Sequence, residues 1–338
     1  MEISADRAQW EKHLSYYIQG STGEIGGDYD FTIICNTKRF VVTVSPSSDP
    51  DDKARLLLSR YSEACRADDE EQIQNVQDAI DDMIYEAGRR IFAQLAPGPE
   101  NGAPEFPKNL YSDLYPETFY FRLAVVGGNI QIVQKRFPQQ QNRHFHLTIE
   151  NGFDWPKYLA RNIAVTNKLM GTGYIARVSV NGQDMCCKIG TTTWGTAIQR
   201  EYECLQKIAM SENASSIRVP KLVGFVVGND GYTIGILEEF IPHEFTLGRV
   251  KGGIAAVPNE QRKKWAVQIG QTVDQLHELG VAWGGGKPDN VLIHTETNDC
   301  WLVDFGGSWT DGWVDAELKE TSAGDKQAVV NIIDFLAF

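Results

Sequence analysis

The sequence predicts an α+β fold, because residues that favour strands and residues with helical periodicity occupy separate parts of the chain. Residues 151–242 contain five predicted antiparallel strands, with one helix, AIQREYECLQKIAM, after the third strand. Residues 243–338 follow with a mainly helical pattern. Together the two stretches predict a lobe built on a sheet and a short, mainly helical lobe.

Turn residues separate the β-rich runs of the first stretch. Asn181-Gly182 lies between YIARVSV and QDMCCKIG, and Asn-Gly is a preferred pair for a two-residue hairpin turn. A GNDG sequence divides RVPKLVGFVV from YTIGILEEF in the same way. NIAVTNKLM supplies the first of the five strands.

An N-terminal α/β extension is predicted over residues 1–105. Two β-rich runs around Asn36 predict a hairpin, and IQNVQDAIDDMIYEAGRRIFAQL has apolar residues at helical spacing. Residues 106–150 add a hairpin turning at Gly127-Gly128 and a polar loop, and they can belong to the extension. The acidic residues of the long helix are interpreted as a solvated face; the alternative is a protein partner bound through the extension.

Composition excludes several classes of protein. The net charge of −13 over 338 residues argues against a protein that coats DNA through a basic surface. The six cysteines include no CxxC pair, which is typical of reduced thiols in a cytoplasmic protein. No stretch has the apolar length of a signal peptide or a membrane span, so we expect neither export nor a membrane partner.

A lysine and a glutamate are the first candidates for a site. Lys188 lies on the third predicted strand, in MCCKIG, and Glu201 lies on the helix that follows, in QREYECL. A lysine that binds phosphate in a cleft needs a carboxylate to hold its ammonium group in place. The pair resembles the lysine and glutamate with which protein kinases hold the α- and β-phosphates of ATP.

An aspartate and an asparagine follow in the second stretch. In WLVDFGGSW a short apolar strand is predicted before Asp304-Phe305-Gly306. These three residues resemble the kinase DFG segment, whose aspartate chelates Mg²⁺. Asn290, in KPDNVLI, lies 14 residues before Asp304 and resembles the asparagine that holds the second metal ion. One carboxylate and one amide oxygen are hard ligands of the kind Mg²⁺ prefers.

Two further features of the sequence resemble the kinase nucleotide cleft. GTGYIARV is similar to the glycine-rich loop, in which Gly171 and Gly173 let backbone N–H groups approach phosphate; Ala176 stands where a third glycine is usual. We also expect Glu239, in GILEEFIP, to contact the nucleotide. The resemblance therefore implies ATP and Mg²⁺ as cofactors.

The loop WGGGKPDN departs from the family. Kinases have H-x-D-x-K-P-x-N here, so Trp283 replaces the histidine and Gly285 the aspartate that accepts the substrate's proton. Lys287 and Asn290 are kept, and Lys287 is retained as a catalytic candidate. Asp289 is a second candidate, as a contact for a basic or amine-bearing substrate.

The resemblance extends from Arg161 to Phe338, where the chain is similar to a group of fungal kinase-like proteins that commonly have WGDxK in place of WGGGK. It implies a bilobal protein-kinase-like fold, with Asp325 as the acid that braces the catalytic loop. Only 34 residues follow Asp304 and they contain no APE motif, so the helices that dock peptide substrates have no room. We therefore expect a small-molecule substrate rather than a peptide.

Three functions are compatible with these motifs. The first is a nucleotide-binding protein that keeps the Mg-ATP residues but has impaired or no phosphotransfer, because the base is missing. The second is a different transfer in fungal secondary metabolism, such as an arginine-containing cyclodipeptide synthase that uses aminoacyl-tRNA. The third is a scaffold without a ligand. If the protein is an enzyme, it is a transferase.

Gly285 itself has a further interpretation. It could be an introduced change that replaces an aspartate in order to trap a ligand. In that case the substitution Gly285→Asp restores turnover.

Overall fold

The computed structural model describes residues 16–23, 27–46, 52–67, 69–98, 109–126, 129–135, 145–149, 154–169, 174–191, 195–307 and 309–337. Within these residues the chain is α+β, with 14 strands in three sheets and six helices. It divides into two compact units, Met1–Phe106 with Ser112–Asn142, and Pro107–Tyr111 with Arg143–Phe338.

The first unit contains a five-stranded sheet in the order β1-β2-β3-β4-β5. Its strands are β1 (Tyr16–Gly23), β2 (Tyr29–Cys35), β3 (Lys38–Val44), β4 (Thr118–Val126) and β5 (Asn129–Gln134). Helices α1 (Lys53–Ala67) and α2 (Glu70–Leu95) connect β3 to β4. These two strands are therefore parallel, joined by a helical crossover, whereas the other neighbours are antiparallel.

Alternation of side chains explains why one face of this sheet packs on α2. Every second residue of β2 is buried. The apolar stripe of α2 meets that face through Val76, Ile80, Met83, Ile84 and Phe92. Asp69 caps α2 by accepting a hydrogen bond from the backbone N–H of Gln72 at 3.0 Å. Asn36 turns the β2–β3 hairpin with a φ of 49°, in the left-handed region that asparagine tolerates.

The second unit is built on a six-stranded sheet in the order β6-β10-β11-β9-β8-β7. Its strands are β6 (Lys157–Leu159), β7 (Ala164–Lys168), β8 (Tyr174–Val180), β9 (Gln183–Ile189), β10 (Leu222–Val227) and β11 (Thr233–Glu239). Asn181 and Gly182, both with positive φ, make the tight turn from β8 to β9. The short helix α3 (Leu110–Leu114) spans the boundary of the two units, and α4 (Gly195–Ala209) follows β9.

A third sheet completes the second unit. It consists of β12 (His243–Thr246), β13 (Val291–His294) and β14 (Cys300–Leu302) in that order, accompanied by α5 (Asn259–Glu278) and α6 (Ser322–Leu336). Gln268 of α5 fixes this sheet to the helix. Its amide donates to Asp299 Oδ1 at 2.6 Å and accepts from the backbone N–H of Cys300 at 2.9 Å.

The predicted bilobal protein-kinase-like fold is wrong in its sheet content. The prediction had a five-stranded antiparallel lobe and a short, mainly helical lobe beside an N-terminal extension. Instead, the second unit has six strands, with β6 parallel to β10, and a third sheet lies where helices were expected. The strands β6, β12 and β13 are only three or four residues long, too short for alternation to identify them. The α+β class itself is confirmed.

The sequence predicts reduced thiols and no membrane span, and the structure describes both the cysteines and the helices. All six cysteines are free, and Cys35, Cys187 and Cys300 are buried. In these positions a thiol acts as a small apolar side chain. Among the described helices, none has the length and apolar character needed to cross a lipid bilayer.

A buried aspartate of α6 fixes the loop that precedes β13. Asp325 is only 2% exposed and accepts hydrogen bonds from the backbone N–H groups of Trp283 and Gly284, each at 2.8 Å. His277 of α5 places Nε2 2.9 Å from Asp325 Oδ2. The indole N–H of Trp283 donates to the carbonyl of Val303 at 2.9 Å. Two helices and the segment after β14 therefore determine where this loop lies.

Asp325→Ala is expected to destabilise the second unit, because it leaves two buried backbone N–H groups without an acceptor. Each such group costs about 1–3 kcal/mol, so we expect a loss of roughly 2–5 kcal/mol in the free energy of unfolding. Chemical denaturation measures it. Asp334→Ala, on an exposed position of the same helix, is the matched control and should change stability by less than about 0.5 kcal/mol. Equal stability of the two variants would contradict this role of Asp325.

Candidate functional site

The second unit contains a cavity between its six-stranded sheet and the third sheet. Apolar side chains from both sides line it, among them Ile175 of β8 and Leu292 of β13. Its polar lining includes the candidates Lys188, Asn290 and Asp304. Residues from separate parts of the sequence therefore converge on one concave site.

Lys188 lies on β9 with its ammonium group buried. Nζ is 2.5 Å from Glu201 Oε1 and 3.3 Å from Glu238 Oε2, and the residue is only 6% exposed. Burial by itself lowers the pKa of a lysine, but the carboxylates of Glu201 and Glu238 outweigh it and raise the pKa of Lys188 well above its usual value. Lys188 is therefore a permanent cation in the wall of the cavity.

Glu201 connects the lysine to the segment after β14. Its Oε1 also accepts a hydrogen bond from the backbone N–H of Phe305 at 3.1 Å. The preceding residue, Arg200, donates to the carbonyls of Ala282 at 2.9 Å, Trp283 at 3.3 Å and Phe305. Helix α4 is thus bound through adjacent side chains to both segments that carry the metal-ligand candidates.

Asn290 and Asp304 lie next to each other. The amide nitrogen of Asn290 donates to the carbonyl of Gly285 at 2.8 Å and to Asp304 Oδ2 at 3.1 Å. Because both partners are acceptors, the nitrogen must face them, and the amide oxygen is left for another ligand. Asp304 has a φ of 66°, an uncommon left-handed conformation that occurs preferentially at functional sites.

The donor atoms of this pair suit Mg²⁺. A carboxylate and an amide oxygen are hard ligands, and Mg²⁺ is commonly bound by one or two carboxylates together with substrate phosphates and water. Among the described residues, no group of three or more His, Cys, Asp or Glu side chains is arranged to hold a metal ion. Asn290 and Asp304 offer two oxygen donors of the kind that proteins contribute to Mg²⁺.

Close packing surrounds Gly285. A Cβ atom at this position would overlap the carbonyl oxygen of Asp304 and would lie 3.1 Å from the amide nitrogen of Asn290. A side chain therefore requires Asp304 to move. Position 285 has neither a carboxylate nor space for one in this conformation.

The remaining catalytic candidates lie in different surroundings. Asp289 lines the edge of the cavity, but its half-exposed carboxylate is 3.3 Å from Arg249 Nε and accepts from the Thr246 hydroxyl at 3.4 Å. Lys287 places Nζ 3.4 Å from Thr310 Oγ1 and does not line the cavity. The structure thus brings Asp289 to the site and leaves Lys287 outside it.

Of the other predicted nucleotide contacts, Glu239 is described by the structure, whereas the two glycines are not. Glu239, at the end of β11, lines the cavity, and its buried Oε2 has no hydrogen-bond partner in the described part of the chain. Gly171 and Gly173 lie outside the described residues, as does the turn Gly127-Gly128. The glycine-rich loop therefore stays a prediction.

Glu238 is a site residue that the sequence reasoning missed. It pairs with Cys186 across β11 and β9, so its side chain lies on the same sheet face as Lys188. Burial, followed by the charge of Glu201, raises the pKa of Glu238 to about 8. Its Oε1 is buried without a partner among the described residues. The available signal was an acidic residue within the apolar run TIGILEE, which predicts a buried strand.

Comparison with known proteins adds no functional assignment. No family model matches the chain, and no curated protein is significantly similar to it. What the cavity binds is therefore inferred from its own residues.

Proposed function

We propose that the cavity binds a nucleoside triphosphate, ATP, together with Mg²⁺, and that phosphotransfer from it is impaired or absent. The observation that carries this proposal is the buried Lys188–Glu201 pair, whose lysine lines the same cavity as Asn290 and Asp304. The same four residues carry the resemblance of the sequence to protein kinases.

The energetics of the buried pair support a functional role. A buried ion pair contributes little net stability, because desolvation of the charges offsets their attraction, and apolar residues of similar volume are often as good. Lys188 is the one lysine or arginine among the described residues that line the cavity. An ammonium group held rigidly in the wall of a cavity is suited to bind phosphate.

Asn290 and Asp304 would hold the metal ion. When bound, Mg²⁺ neutralises negative charge on the phosphates and orients them. The chain contributes one amide oxygen, fixed by the two hydrogen bonds of the Asn290 nitrogen, and the carboxylate of Asp304. Phosphates near Lys188 and a metal near Asp304 would place the reacting end of the ligand beside Gly285.

Loss of the proton acceptor limits the chemistry. A positioned general base typically contributes roughly 10²- to 10⁴-fold to a rate, and glycine provides none. Asp289 is exposed and paired with Arg249, which suits a contact with an amine-bearing acceptor better than proton abstraction. We therefore propose ATP binding with slow or no phosphotransfer.

The tight packing at Gly285 favours a second candidate function. Some transfers do not need a base at position 285, and for them a glycine without room for a side chain is sufficient. Amide formation from aminoacyl-tRNA by an arginine-containing cyclodipeptide synthase is such a transfer. Product formed from aminoacyl-tRNA without ATP would support it. Product formed only with ATP would rule it out.

Lys188→Ala and Asp304→Asn are expected to weaken Mg-ATP binding by at least about tenfold each, because each removes a charge-assisted contact worth roughly 1.5–3 kcal/mol. Isothermal titration calorimetry with and without Mg²⁺ measures the effect. Lys221→Ala removes an exposed lysine of the same unit and should leave the affinity unchanged. Absence of Mg-ATP binding by the wild-type protein would refute the proposed function.

Gly285→Ala is expected to destabilise the protein by about 1–3 kcal/mol and to weaken Mg-ATP binding, because the added methyl group displaces Asp304. Gly270→Ala is the matched control. A Cβ at Gly270 of α5 meets nothing within 4 Å, so alanine there should stabilise the helix by about 0.5–1 kcal/mol. Thermal melts and calorimetry report both effects.

For the same steric reason, Gly285→Asp is not expected to restore turnover. A gain of ATP-dependent phosphotransfer in this variant would show that the loop opens to admit a carboxylate. It would favour the interpretation that Gly285 is an introduced change that replaces an aspartate.

A further inference from the structure

Lys188 is shared between two buried carboxylates. Glu201 and Glu238 are each 2% exposed, and their oxygens lie 2.5 Å and 3.3 Å from the lysine Nζ. With both acids ionised, the cluster has a formal charge of −1. A polyanionic ligand that approaches Lys188 therefore meets an excess of negative charge.

We propose that Glu238 is a positioning residue that releases Lys188 to an incoming phosphate and takes up a proton as it does so. This inference rests on the proposed function, because it assumes a phosphate-bearing ligand in the cavity. It assigns to Glu238 the control of whether Lys188 is available, a role distinct from that of Glu201.

Geometry distinguishes the two carboxylates. Glu201 makes the shorter contact with Lys188 and also accepts the backbone N–H of Phe305, so it is held from two sides. Glu238 makes the longer contact, and its other oxygen has no hydrogen-bond partner in the described part of the chain. Glu238 is therefore the partner that a phosphate oxygen displaces at lower cost.

The charges around Glu238 explain why displacement requires a proton. Lys188 and Cys186 face it from β9, Glu201 from α4 and Asp304 from the segment after β14. Burial raises the pKa of the Cys186 thiol to about 12, so this thiol is neutral. Once a phosphate occupies Lys188, an ionised Glu238 would be a buried carboxylate facing Glu201 without its own cation, since the Mg²⁺ of the ligand is proposed to pair with Asp304. Protonation removes that charge.

The affinity for the phosphate-bearing ligand is expected to fall as the pH rises above the pKa of Glu238. Burial and the neighbouring charge of Glu201 already raise the pKa of Glu238 to about 8, and loss of Lys188 to a phosphate raises it further. Below that pH the carboxyl carries its proton before the ligand arrives. Above it, binding must take up a proton, so the apparent affinity falls by up to about tenfold per pH unit.

Calorimetry of Mg-ATP binding between about pH 7 and pH 9, in two buffers of different ionisation enthalpy, tests the inference. The wild-type protein should lose up to about tenfold in affinity over the last pH unit and should take up a fraction of a proton per ligand bound. Glu238→Gln, which cannot titrate, should show neither effect and should bind more tightly than wild type at about pH 9. Glu238→Asp keeps the carboxyl and should keep the pH dependence.

Glu239→Gln is the matched control. Glu239 is the next residue on β11 and lines the same cavity, but no ion pair joins it to Lys188 in the described structure. This variant can change the affinity, but it should retain the pH dependence and the proton uptake.

Wild-type binding that is independent of pH without proton uptake would overturn the inference, as would a pH dependence retained in Glu238→Gln. Either result leaves the proposed function intact, because Mg-ATP still binds. Absence of Mg-ATP binding in both wild type and Glu238→Gln instead refutes the proposed function and this inference with it.

Discussion

The buried ammonium group of Lys188 determines how the residues around the cavity are arranged. A charge removed from water must be compensated at short range, and this one is compensated by acids from two elements, α4 and β11. Glu201 in turn holds the backbone of Phe305, which fixes Asp304 and, through it, Asn290. A single cation thus orders residues that are more than a hundred positions apart in the sequence.

The same network explains why the site lacks a proton acceptor. The amide nitrogen of Asn290 donates to both the carbonyl of Gly285 and the carboxylate of Asp304. Asp325 accepts hydrogen bonds from the backbone N–H groups of the two residues before Gly285. The resulting loop passes so close to Asp304 that only glycine fits at position 285. Rigid placement of Asn290 and Asp304 and the glycine at position 285 are therefore two consequences of one packing arrangement.

The resemblance of the sequence to protein kinases singled out Lys188, Glu201, Asn290 and Asp304, and the structure brings these four residues close together. Lys188, Asn290 and Asp304 line one cavity, and Glu201 contacts Lys188. What the cavity binds stays a prediction. Strands β6, β12 and β13 were missed, because segments of three or four residues show no periodicity. Glu238 was missed for a different reason, since its meaning depends on the register of β11 against β9, which residue pattern does not determine.

A crystal structure of the protein with Mg²⁺ and a non-hydrolysable ATP analogue tests Mg-ATP binding in the cavity directly. We expect phosphate oxygens within hydrogen-bonding distance of Lys188 Nζ, a metal ion bound by Asn290 and Asp304, and Glu238 no longer paired with the lysine. An analogue bound elsewhere would rule out Mg-ATP binding at this site. So would a cavity that excludes the analogue while Lys188 keeps both carboxylates at saturating ligand.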